Sequence, residues 1–167
     1  MKQFLRQIKK FNEMYKIPMS DKPSLPTVDD LQRFKSILQE ELLEIDDIID
    51  KVSILEADAF HGSRLRFEAL SLGEHDILLS TRDKFKAGLM AELADWHGDM
   101  VVYCHTHAAK FGLPMEEILD VIMESNFSKL GADGKPIYDE RGKVQKGPNF
   151  FPPEPALNKL LKAKNEE

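Results

Sequence analysis

Two acidic repeats carry the chemistry this sequence can support. The first is Glu40-Glu41-Leu42-Leu43-Glu44 and the second is Glu92-Leu93-Ala94-Asp95. Each sets carboxylates three residues apart, a spacing that stacks side chains on one face of a helix. Two such helices packed side by side gather four carboxylates, Glu41, Glu44, Glu92 and Asp95. The acids also interrupt apolar stripes: Ile37, Glu41, Glu44 and Ile48 share one line at helical spacing, and Phe85, Leu89, Glu92, Trp96, Asp99 and Tyr103 nearly share another. A carboxylate withdrawn from water is costly without a cation or hydrogen-bond donors, and clustered carboxylates repel one another. A hard divalent cation, Mg2+ or Mn2+, relieves both costs, because it takes carboxylate oxygens and keeps several waters for a phosphate.

The elements that must position these acids follow from periodicity. Leu31, Phe34, Leu38, Leu42, Ile45, Ile49, Val52 and Leu55 recur every three or four residues without Gly or Pro, which predicts a helix over about 28–56. Thr27 stands where its N-cap should be, with Asp30 as the reciprocal partner of a capping box. A second long helix is predicted from about 81–84 to Lys110, stopped at Phe111-Gly112, where glycine can take the left-handed cap. Between them, 57–84 loses the pattern at Gly62 and Gly73. It reads as a loop with one or two short helical pieces, long enough to cover the acidic site.

The remaining segments are shorter. Phe4, Leu5, Ile8, Phe11 and Tyr15 predict an amphipathic helix over 2–15, and the three prolines of 18–26 make a linker. Pro114 followed by Glu116 and Glu117 opens a further helix with Ile118, Leu119, Ile122, Met123 and Phe127 on its apolar face. After Leu130, residues 131–155 hold four Gly and five Pro, enough to exclude long regular elements; a small hairpin of 135–138 against 143–145 is the expectation. A short helix over about 156–164 closes the chain. Helices joined by loops, with scarcely any strand, predict an all-α bundle: one domain over 1–167, with a core at about 28–130 and an extended tail at 131–167.

Composition narrows the partners. The net charge of -6 argues against general nucleic-acid binding, which needs a basic surface. No stretch approaches the ~18 apolar residues of a membrane span, and the N-terminal region lacks the apolar run of a secretion signal, so a cytoplasmic protein is expected. Cys104 is the one cysteine and lies in an apolar run, where it reads as core filler. A di-iron carboxylate bundle requires Glu-x-x-His, and no Glu here has His three residues later. The five histidines do not make a zinc constellation, since His105 and His107 face different ways on one helix.

These motifs, in this order, resemble the ExxE and ExxD pair of the MazG-like all-α nucleoside triphosphate pyrophosphohydrolases. The later Glu124-Ser125-Asn126-Phe127-Ser128-Lys129-Leu130 and Lys143-Val144-Gln145-Lys146-Gly147-Pro148 resemble the substrate side of their phosphoribosyl-ATP pyrophosphohydrolase-like branch. The resemblance covers about 28–153. It implies a four-helix-bundle-like fold in which Glu41, Glu44, Glu92 and Asp95 ligate Mg2+, with Asp99 as an added ligand or an acid behind the ligands. It further implies that Glu40 positions or deprotonates water, that Asn126 and Lys129 contact the nucleotide, and that Lys146 meets its phosphates. The implied reaction is Mg2+-dependent cleavage of an (d)NTP or related nucleotide to the monophosphate and pyrophosphate, in a homodimer or tetramer. Phosphoribosyl-ATP is the alternative substrate, and a non-catalytic metal-binding helical interaction module is the alternative of another class. Forty-seven residues separate Glu44 from Glu92, more than is usual between these motifs, which implies an insertion at 57–84. Without the resemblance, Lys129 and Lys146 read as solvated lysines, and Trp96 as bundle core.

Overall fold

The computed structural model describes the backbone of residues 2–65 and 72–166, and the side chains of residues 2–57 and 82–166. Five helices follow in order: α1 (Lys2–Met14), α2 (Val28–Leu65), α3 (Leu72–Lys110), α4 (Met115–Phe127) and α5 (Glu154–Glu166). Among the described residues the only pairing of extended chain is an isolated antiparallel bridge, Tyr138 to Val144. The chain divides into two compact units, Thr27–Tyr103, and Met1–Pro26 with Cys104–Glu167.

In the unit Thr27–Tyr103, the start of α2 is fixed by the predicted capping box. The Thr27 N–H donates to Asp30 Oδ2 (3.2 Å) and the Asp30 N–H donates to Thr27 Oγ1 (3.1 Å), so two donors that a helix end would orphan are satisfied. The buried seam of α2 differs from the predicted apolar line. Glu41 and Ile48 are buried, with Phe34, Leu38, Ile45, Val52 and Leu55 half-buried, while Leu42 and Ile49 stand about half exposed. Positions 34, 38, 41, 45, 48, 52 and 55 alternate steps of four and three, the 3.5-residue repeat by which two long helices keep one seam in contact. That repeat selects Glu41 where hydropathy alone selects Leu42. Among the described α3 residues of this unit, Leu89 is buried; burying side chains such as Leu89 and Ile48 contributes roughly 1.5–3 kcal/mol each.

The loop expected over 57–84 is corrected for most of its length. The backbone of α2 continues to Leu65, and α3 begins at Leu72. Residues 66–71, and the side chains of 58–81, lie outside the described residues. A lone Gly costs a helix only about 1 kcal/mol relative to Ala, and a helix already nucleated propagates residue by residue. Gly62 therefore weakens the pattern without ending α2.

The other unit is built on α1, the last turns of α3, α4 and α5. The buried face of α1 runs through Ile8 and the fully buried Asn12, with Phe4 and Leu5 half-buried, whereas Tyr15 is 65% exposed and leans on Phe11. Phe4 meets the His105 ring edge-on, with centroids 5.0 Å apart. Lys16 ends α1 with φ of 56°; the Ile17 N–H returns to the Asn12 carbonyl and the Lys16 N–H to that of Glu13, a Schellman cap. The 18–26 linker is pinned to the end of α3 by Ser20 N–H to the Lys110 carbonyl (3.2 Å) and Ser24 N–H to that of Phe111 (3.0 Å). Gly112 is required there, because its φ is 65° and a Cβ would overlap the Lys22 carbonyl. The predicted hairpin is reduced to one bridge, with Asp139 N–H to the Lys143 carbonyl (2.9 Å) and Gln145 N–H to that of Ile137 (2.7 Å).

Candidate active site

The acids of both repeats lie in the unit Thr27–Tyr103, on α2 and α3. Trp96 ties the two helices together at this level: its indole N–H donates to the Glu41 backbone carbonyl at 2.8 Å. A half-buried tryptophan with its N–H satisfied is a packing residue, as expected. Glu41 itself is only 4% exposed, and its Oε2 has no hydrogen-bond partner among the described residues. Loss of hydration raises its pKa above the ordinary carboxylate value, and the charges of Glu44, Asp99, Glu40 and Asp95 raise it further. Those four influences place Glu40, Glu41, Glu44, Asp95 and Asp99 in one electrostatic cluster drawn from both helices. Tyr103 feels the same field: desolvation first, then Asp99, Glu41, Glu44 and Glu40, push its hydroxyl pKa upward and hold it neutral.

Beside this cluster lies a cavity of about 360 Å3, lined by Leu43, Glu44, Asp47, Ile48, Glu92 and Asp95. Its rim carries an ion pair that the two repeats do not announce. The Lys51 ammonium donates to Glu92 Oε2 at 2.7 Å and pairs with Asp47 Oδ2 at 2.6 Å. The hydrogen bond to Asp47, then that to Glu92, push the Lys51 pKa up to about 12. Asp47 and Lys51 are the site residues that reasoning from the repeats missed. Their signal was present, since Asp47 stands three residues after Glu44 and Lys51 four after Asp47, both same-face spacings.

Among the described residues, no three His, Cys, Asp or Glu side chains are arranged to hold one metal ion as they stand. Two observations nonetheless test whether the residues fit a cation. The Glu41 carboxylate is buried with its Oε2 unpartnered among the described residues, and an ammonium already bridges Asp47 and Glu92 as a stand-in cation. The donors are hard carboxylate oxygens on two helices joined at Trp96, with water reaching Glu44, Glu92 and Asp95. This set fits Mg2+ or Mn2+.

The three residues placed on the substrate side belong to the other unit, and two of them meet: Lys129 Nζ donates to Asn126 Oδ1 at 2.7 Å. The end of α4, which carries Asn126, and the turn after it, which carries Lys129, are held by Ser125, a buried hydroxyl that donates to the Phe151 carbonyl (2.8 Å), and by Gly147 N–H to the Lys129 carbonyl (3.0 Å). Lys146 stacks over the Phe150 ring, 4.4 Å from its centroid. Cys104 is half-buried, and desolvation raises its thiol pKa, which disfavours the reactive thiolate. No helix among the described residues is long and apolar enough to cross a membrane.

No protein-family model matches the chain, and no curated protein matches it. Among solved structures it is similar to a "putative NTP pyrophosphohydrolase" from Exiguobacterium sp. 255-15, with 20% sequence identity, a TM-score of 0.44 and 98% of each chain covered.

Proposed function

We propose that this chain is a Mg2+-dependent nucleotide pyrophosphohydrolase, one domain over 1–167 with a MazG-like, four-helix-bundle-like core and a Gly/Pro-rich tail. Its reaction splits an (d)NTP or related nucleotide between the α and β phosphates, giving the monophosphate and pyrophosphate. The observation that carries this reading is Glu41, a carboxylate buried in the α2 seam with one oxygen unpartnered among the described residues, in the field of Glu44, Asp99, Glu40 and Asp95. A fold retains such a group at a cost to stability, and perturbed carboxylates in a cleft mark working sites.

In this proposal Glu41, Glu44, Glu92 and Asp95 hold Mg2+, or Mn2+, with Asp99 adding charge from one turn further along α3. The bound ion supplies Lewis acidity and charge neutralisation for phosphoryl chemistry. Glu40, exposed on α2 about 100° round from Glu41, takes the proton of the attacking water. Asn126 and Lys129 bind the nucleotide, and Lys146 adds fixed positive charge for its phosphates. Tyr103, whose hydroxyl pKa is raised by burial and then by the acids, stays neutral and adds no charge to the cluster. Leu42, Leu43, Ile49 and Ile54 leave α2 with large apolar side chains 52–70% exposed. Such a face on an otherwise charged helix supports a homodimer or tetramer.

The test is pyrophosphate release from a panel of NTPs, dNTPs and phosphoribosyl-ATP, in Mg2+ and in EDTA. The proposal expects release that EDTA abolishes, with the preferred substrate deciding between a general nucleotide role and phosphoribosyl-ATP. Metal-dependent stabilisation without turnover on any substrate sinks the enzyme reading in favour of a non-catalytic metal-binding module.

A further inference from the structure

Lys51 already occupies the place of a cation. It lies seven residues beyond Glu44 on α2, two turns along the face that carries Glu44 and Asp47, and reaches Glu92 on α3 at 2.7 Å while holding Asp47 at 2.6 Å. Asp47 and Glu92 both line the cavity beside the acidic cluster, together with Glu44 and Asp95. An oxygen that accepts an ammonium at this distance cannot also ligate a divalent ion without setting two positive charges a few ångströms apart.

We infer that Lys51 is a tethered counter-cation that competes with the divalent metal for Glu92, and thereby sets the metal affinity of the site. The inference rests on the metal reading of the same acids, and it makes Lys51 a positioning residue that acts through Glu92. Three features suit it to the task. Its side chain is 34% exposed, so water can receive the ammonium when it lets go. Its four-carbon stem is flexible and its charge compact, so release needs no backbone movement. Asp47 lies one turn before it and retains the ammonium after Glu92 turns away, which parks the displaced charge beside the cavity.

The experiment titrates Mn2+ into the purified full chain and follows the free ion by electron paramagnetic resonance, with no nucleotide present. Removing the competitor in Lys51→Met should lower the Mn2+ Kd by roughly two- to fivefold, the scale of an exposed ion pair. Lys35→Met makes the same change of charge at an exposed position of the same helix and should leave the Kd close to that of the parent. Lys51→Gln repeats the tightening and guards against a folding defect peculiar to the methionine variant. A Kd unchanged or raised in both Lys51 variants overturns the inference while leaving the metal site standing. Equal tightening in Lys35→Met overturns it as well, because general charge then explains the effect. Binding by neither parent nor Lys51 variants overturns both readings, whereas binding seen only after Lys51 is removed supports a competitor strong enough to exclude the metal.

Discussion

Replacing Glu41 by glutamine should stabilise the metal-free protein, an unusual direction for a substitution at a buried position. Glutamine keeps the shape of the side chain and removes its charge. In the parent, burial and then Glu44, Asp99, Glu40 and Asp95 raise the Glu41 pKa, so ionising the group opposes folding. The sign fixes the pH window. Below the unfolded value of 4.5, Glu41 is protonated in both states and has no electrostatic effect on stability. As pH rises from there through the higher folded value, the unfolded chain ionises first and the penalty develops. Once the pH exceeds the folded value the parent carries the full penalty. Glutamine leaves a polar atom at the same place and removes only the charge, so the gain is about 1.4 kcal/mol for each unit by which folding raises the pKa, and for a chain of this size each kcal/mol moves Tm by about 2–4 °C. Thermal melts in EDTA should show Glu41→Gln melting above the parent at pH 8, by about 3–6 °C for each unit by which the pKa is raised, with the gain shrinking towards pH 4.5. Mg2+ should reverse the order: at one hundred times Kd a ligand adds about 2.7 kcal/mol to the protein that binds it, and the variant has lost a ligand. A variant no more stable than the parent at pH 8, or a gain that persists unchanged at low pH, refutes the claim that Glu41 is a destabilised carboxylate.

Two further substitutions probe how the site is held. Trp96→Phe keeps most of the packing and removes the indole bond to the Glu41 carbonyl; chemical denaturation should show a loss of about 0.5–1.5 kcal/mol, and an unchanged midpoint would mean the bond does not join α2 to α3. Gly112→Ala places a methyl against the Lys22 carbonyl at a φ of 65°. The left-handed conformation alone costs about 1–2 kcal/mol, so the midpoint should fall by at least that much, and a neutral result would show that the 18–26 linker does not pack on this turn.

Much of the helical frame was legible from periodicity and caps. The Thr27 capping box, the stop at Gly112 and the start of α4 after Pro114 are local chemistry, set by residues within one turn of each other. What hydropathy misplaced depends on partners outside that range. The α2 seam follows a 3.5-residue repeat imposed by packing against another helix, so it takes Glu41 and Ile48 and leaves Leu42 and Ile49 exposed. The α1 face turns through Asn12, a polar residue that an apolar pattern cannot select, whose amide N–H approaches the Thr106 carbonyl at 3.5 Å. Gly62 and Gly73 read as breaks on local propensity alone, whereas the helices run through both positions. At the site, the carboxylates announced themselves as repeats; Lys51 was visible only as a same-face partner of Asp47, and its reach to Glu92, 41 residues away in the chain, was not.

The most direct test of the central claim is 31P NMR of a nucleoside triphosphate incubated with the protein and Mg2+, run beside Glu44→Gln. The acidic cluster acting on the α-β anhydride predicts matched growth of monophosphate and pyrophosphate resonances, lost in the variant and in EDTA. Diphosphate with orthophosphate would place the cut at the wrong bond. An unchanged spectrum from protein shown to bind Mn2+, across the full substrate panel, would contradict catalysis at this site altogether.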